Sequence, residues 1–130
     1  MKANELTDGI YVYFNCFDGS KIIVKVTGFK DNIVYGVSEY GTHWCPISKT
    51  EPIPLNTEIL EKNGFEYKGK ESGLYGATIA PHYVRDDVPF EVFCDGEPFA
   101  IWFREPVNIK FVHELQRALI LCGIEKEIEL

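Results

Sequence analysis

The sequence predicts a single α+β domain: an N-terminal antiparallel β-meander of SH3-like character, a short helix, a second antiparallel β part, and a C-terminal helix packed on a sheet. Three observations predict it. Runs of β-branched and aromatic residues are broken by Asp18-Gly19 and Gly28–Asn32 over the first 38 residues. Prolines then bracket a short capped stretch at 51–64. Residues 110–122 carry an apolar helical period.

In the meander, residues 10–17 (Ile-Tyr-Val-Tyr-Phe-Asn-Cys-Phe) and Lys21–Thr27 flank Asp18-Gly19. Asp-Gly between two such runs predicts a hairpin closed by a type I′ turn, because Gly accepts positive φ. Ile33–Ser38 supplies a third strand, and Thr42–Ile47 a short fourth one stopped by Pro46 or Ser48. Alternation places Ile22, Val24 and Val26 on the core face, and Lys21, Ile23, Lys25 and Thr27 on the other.

Pro52 and Pro54 hold the chain extended before a helix at 57–63. Asn56 suits its N-cap, Glu58 its first turn and Gly64 its C′ position. Phe65–Lys68, Leu74–Ala80, His82–Val84, Pro89–Phe93 and Pro98–Arg104 are expected strands, the last two joined by a tight turn at Asp95-Gly96. In the final helix Val112, Leu115, Leu119 and Cys122 form the apolar stripe, and His113, Glu114, Gln116 and Arg117 the wet side. Glu125–Leu130 alternates charge with Ile and Leu, as a closing strand or a charged tail would. The expected core includes Phe14, Val24, Val26, Ile33, Ile59, Ile79, Trp102, Leu115 and Leu119. Nothing resembles a linker, so residues 1–130 form one domain, with a meander part at 1–50 and a mixed part at 51–130.

Three motifs recur together elsewhere: Glu5-Leu6-x-x-Gly9, then Pro52-Ile53-Pro54-Leu55-x-x-Glu58-Ile59-Leu60-x-x-x-Gly64-Phe65, then Phe111-Val112-His113-Glu114-Leu115-Gln116. In this the chain resembles a family of small, uncharacterised proteins from Bacteroides-type bacteria and their phages or mobile elements. Members of that family often carry Arg-x-Gly-Asn where this chain has Thr7-Asp8-Gly9-Ile10. They often continue the last helix with Asn and aromatics where this chain has Arg117-Ala118-Leu119. The resemblance implies a mobile-element origin and transfers no catalytic residue.

Charge limits the function. The 130 residues carry 13 basic and 20 acidic side chains, net −7, with −2 in residues 1–65 and −5 in residues 66–130. Lys21, Lys25 and Lys30 are scattered, whereas nucleic-acid binding needs clustered cations on phosphates. Nucleic acid is therefore not an expected partner. No apolar run reaches the roughly 18 residues of a membrane helix, and the first residues lack the apolar core of a signal peptide. A cytoplasmic chain is expected, with Cys16, Cys45, Cys94 and Cys122 as reduced thiols.

No motif fixes a reaction. His43-x-Cys45 offers two metal ligands, to be completed by Cys94 and Cys16 or His82, but no Cys-x₂₋₄-Cys pair is present. Cys45 or Cys94 with His43, His82 or His113 lacks any local nucleophile signature. Asp86-Asp87, between Arg85 and Pro89, reads as a turn, and Gly69-x-x-x-Gly73-x-x-Gly76 lacks the Lys-Ser/Thr of a phosphate loop. No metal or cofactor is expected.

The aromatics Tyr11, Tyr13, Tyr35, Tyr40 and Trp44 cluster in or beside the meander. Such residues commonly pack beneath a helix or second sheet. On a small barrel-like sheet they can instead form a strip that binds extended or Pro-rich peptides. The sequence thus favours a non-enzymatic binding or accessory module, with a protein as the compatible partner. A small metal- or thiol-dependent enzyme using His43 and Cys45 is the alternative.

Overall fold

The structure, a computed structural model, describes residues 1–68, 81–94, 99–102 and 106–130. Among the described residues are two five-stranded antiparallel sheets and two α-helices. The chain divides into two compact units, Met1–Ile53 and Pro54–Leu130.

In the first unit, β1 (Tyr11–Asn15), β2 (Lys21–Lys30), β3 (Ile33–Ser38) and β4 (Gly41–Pro46) form a meander. A 3₁₀ turn, Ile47–Lys49, leads into β5 (Thr50–Pro52), which returns to pair with β1. The strand order is β4-β3-β2-β1-β5. Alternation holds in every long strand. Val12 and Phe14, Val24 and Val26, Val34 and Cys45 are buried, and with Ile10 they make one apolar core. Ile33, expected in that core, is only half-buried.

The first two hairpins use different turns, and the first does not use the type I′ turn expected of it. The Cys16 N–H donates to Ser20 O at 2.8 Å and the Gly19 N–H to Cys16 O at 3.1 Å. Phe17 and Asp18 therefore occupy the centre of a type I turn, and Gly19 (φ +86°) is the left-handed bulge residue. The Asp18 carboxylate fixes this loop by accepting from the Ser20 N–H (3.0 Å) and Oγ (2.6 Å). The type I′ geometry appears one hairpin later. Asp31 (φ 53°) and Asn32 (φ 63°) join Lys30 to Ile33 as a two-residue loop. Asp and Asn tolerate this region because their short polar side chains bond locally. As a result β2 runs through Gly28 to Lys30 rather than stopping at Thr27, with an irregularity between Val26 and Gly28 that leaves Thr27 as the extra residue.

The second unit opens with Leu55, whose N–H donates to Lys110 O at 2.9 Å. Helix α1 (Thr57–Lys62) follows. Asn56 Oδ1 accepts from the Ile59 N–H at 2.9 Å, capping its first turn. Phe65 N–H to Leu60 O (3.1 Å) and Gly64 N–H to Glu61 O (3.1 Å) close its last turn, with Gly64 at φ +83°. The second sheet comprises β6 (Glu66–Tyr67), β7 (His82–Val84), β8 (Glu91–Phe93), β9 (Phe99–Trp102) and β10 (Pro106–Ile109), in the order β10-β9-β8-β7-β6. The expected strand Leu74–Ala80, the turn at Asp95-Gly96, and the core positions Ile79 and the Trp102 side chain lie outside the described residues. Strand β10 was not foreseen: a leading Pro and a central Asn give it little strand signature.

Helix α2 spans Val112–Leu121. The Glu114 carboxylate accepts from the backbone N–H groups of Lys110 (2.9 Å) and Phe111 (3.1 Å), capping the start of the helix from its own first turn. Val112, Leu115 and Leu119 are buried as expected, but so are His113 and Gln116. The helix is wet instead on Ile120 and Leu121, which are exposed. The apolar period alone therefore misplaced two polar residues, because the buried arc is wider than the stripe.

Glu125–Leu130 forms no strand. It is nevertheless anchored. The Asn63 side chain donates to Glu129 O (2.7 Å) and to Ile59 O (2.8 Å), and accepts from the Glu129 N–H (2.7 Å), while Ile128 is buried. One buried amide thus substitutes for a strand partner.

Candidate binding surface

The face of the first sheet opposite its core is built by the same alternation that builds the core. With Val12, Val24, Val34 and Cys45 turned inward, Tyr11, Tyr13, Ile23, Lys25, Tyr35, Val37, Thr42 and Trp44 turn outward. Strand register arranges them in three rows. Tyr13 faces Ile23; Tyr11, Lys25, Val37 and Thr42 follow one another across four strands; Tyr35 faces Trp44.

Four of the five aromatics singled out in the sequence share this face, and Tyr40 stands at the tip of the β3–β4 hairpin. They do not form one uninterrupted stripe. Tyr13 and Trp44 occupy opposite corners, with Lys25 and Val37 between them. Exposure separates them further: Trp44 is 66% exposed, Tyr40 75% and Tyr35 44%, whereas Tyr11 and Tyr13 are half-buried. The Lys21 ammonium lies 5.5 Å from the Tyr13 ring centre and 2.6 Å from the Glu51 carboxylate. That contact holds the Glu51 carboxyl below the usual carboxylate range. Ile23, Lys25 and Val37 complete the surface. Their signal was present in the alternation of β2 and β3, but apolar and cationic residues between tyrosines were not read as part of it.

Gly36 explains how the strands approach so closely beneath the face. A Cβ there would collide with Val24 Cγ1 and would stand 2.7 Å from Lys25 O. Only glycine fits.

His43 and Cys45 lie on one side of β4, two residues apart. The His43 Nε2 is engaged with Ser38 Oγ at 2.7 Å, and that hydroxyl accepts from the Tyr40 N–H at 3.1 Å. The arrangement braces the hairpin tip. Cys45 is buried, and burial pushes its thiol up; burial likewise raises Cys122, and Cys94 to about 11. A nucleophilic thiol needs the opposite shift. Among the described residues no group of three or more His, Cys, Asp or Glu side chains could hold a metal ion. Asp86 and Asp87 sit in a turn closed by Val88 N–H to Arg85 O (3.0 Å), where the Arg85 guanidinium grips Asp87 at 2.6 Å. Among the described residues no helix is long and apolar enough to cross a membrane.

The chain matches no protein-family model, no curated protein and no solved structure.

Proposed function

We propose that Met1–Ile53 is an SH3-like binding module that takes an extended protein segment on the outward face bearing Tyr35 and Trp44. The observation that carries this is the directly opposed, exposed pair Tyr35–Trp44, beside Tyr40, on a sheet whose other face already holds a complete apolar core. Large aromatics left in water on one side of a small sheet supply contact area at low entropic cost. The meander closed by a 3₁₀ turn and a fifth strand on β1 supports the SH3-like reading. In the second unit the same reading seats α2 on the sheet, supported by burial of Val112, Leu115 and Leu119 alongside Val92 and Ile101. The three motifs quoted above support an origin in phages or mobile elements of Bacteroides-type bacteria.

Selection from a displayed library of extended and Pro-rich peptides tests the module. Peptides enriched on the wild-type chain should lose binding to Trp44→Ala and Tyr35→Ala while retaining it on Phe17→Ala, an exposed aromatic in the β1–β2 loop. Equal binding to all of them, or no enrichment, would contradict the reading.

A further inference from the structure

The first sheet ends in two edges of different character. Strand β5 is three residues long and carries Glu51 and Pro52, both features that discourage pairing. Strand β4 is six residues, Gly41-Thr42-His43-Trp44-Cys45-Pro46, without a charged side chain. It runs in unbroken register with β3 from Ser38↔Gly41 to Ile33↔Pro46. Among the described residues it is the longest of the strands at the sheet edges.

Backbone parity shows which of its groups are open. The Ile47 N–H donates to Asn32 O at 2.9 Å, so residue 47 turns its backbone toward β3. Alternation then turns His43 and Cys45 inward and Thr42, Trp44 and Pro46 outward. Pro46 fits this parity, since it has no N–H to give to the ladder. Among the described residues no backbone group pairs with the outward N–H and C=O of Thr42 and Trp44.

We infer that β4 pairs with β4 of a second copy of this chain, antiparallel about a twofold axis at His43, making one continuous sheet. A second copy is the occupant that the strand itself complements. About that axis the N–H and C=O of Thr42 meet the C=O and N–H of Trp44 in the other copy, and the reverse. An axis at Trp44 would instead set Pro46 against Thr42 and forfeit a donor. The lack of charge on Gly41–Pro46 removes the like-charge opposition that a chain of net −7 would otherwise bring to a self-contact. Side chains follow the backbone: each Trp44 comes to lie beside Thr42 of the other copy, extending the Tyr35–Trp44 row across the junction. The inference goes beyond the peptide-binding reading, because the face can accept a ligand whether or not the edge is paired.

Sedimentation equilibrium of the full chain over micromolar to submillimolar concentration tests it, with peptide absent. The wild-type chain should reach twice its monomer mass. Thr42→Lys and Trp44→Lys each place a charge at the junction and should weaken the dimer by about tenfold or more, with unchanged circular dichroism. Under oxidation His43→Cys should cross-link to itself between copies, because directly opposed residues of this type bring Cα atoms to about 4.5 Å. Peptide mapping would locate the bond at position 43. A chain that stays monomeric, a dimer indifferent to both lysines, or a dimer with no bond at 43 would overturn the inference. Should a lysine variant misfold, the cross-link still decides it.

Discussion

The two units bury different kinds of residue. In Met1–Ile53 the interior is Ile10, Val12, Phe14, Val24, Val26, Val34 and Cys45, and the polar residue buried with them is Thr50, whose hydroxyl donates to Pro46 O at 3.3 Å. Pro54–Leu130 buries Asn63, His82, Glu91, His113 and Gln116 among its apolar side chains. The first interior is held by area removed from water, which is nondirectional and tolerant. The second depends in addition on polar groups whose burial is tolerable only while their partners stay in place.

The largest test of that difference is a cavity in the apolar interior. Phe14→Ala should cost about 3–5 kcal/mol, read from urea unfolding; a loss below 1 kcal/mol would mean that this core is not close-packed. Next comes an apolar replacement inside the polar one. Asn63→Leu keeps the branched four-heavy-atom shape but removes three hydrogen bonds, two of them to the backbone of Glu129. It should cost roughly 2–3 kcal/mol and expose the Glu129 amide to hydrogen exchange. A neutral outcome would erase the contrast between the units. Gly36→Ala should cost about 1–3 kcal/mol through overpacking against Val24 and Lys25. The same substitution at Gly28, where the space is open, should cost less.

The smallest effect is a matter of pH. The folded state holds the Cys94 thiol at about 11, above its ordinary value of 9.0. A raised folded value means that the stabilisation is complete below pH 9 and is lost as pH rises through 11. Unfolding midpoints of the wild type should therefore fall over this window relative to Cys94→Ala. Parallel midpoints would show that the thiol is not desolvated. At neutral pH the same thiol should react sluggishly with iodoacetamide, the opposite of what a thiol enzyme requires.

The contrast also explains what was legible in the sequence. In the meander the buried positions Val12, Phe14, Val24, Val26, Val34 and Cys45 are apolar, so period-two alternation located the strands and most of the core face, while Ile33, on the parity of Tyr35 and Val37, was misassigned to it. What alternation could not choose was turn type. Asp18-Gly19 carried the stronger I′ signature, yet Phe17 and Asp18 took the type I centre and Asp31-Asn32 took the left-handed pair. In the second unit, capping chemistry at Asn56 and Gly64 placed the first helix, and the apolar period of residues 110–122 placed the second. Hydropathy failed at His113 and Gln116, because a buried polar residue is invisible to an apolar count. The anchoring of Glu129 by Asn63 joins residues 66 apart and leaves no local trace.

The central claim is that the outward face of the first sheet, not its termini or the second unit, receives the ligand. Backbone amide shifts recorded while a selected peptide is titrated into the full chain test this most directly. The largest changes should fall on Lys25, Tyr35, Val37, Tyr40 and Trp44. Changes confined to Pro54–Leu130, or spread without focus over the chain, would contradict it.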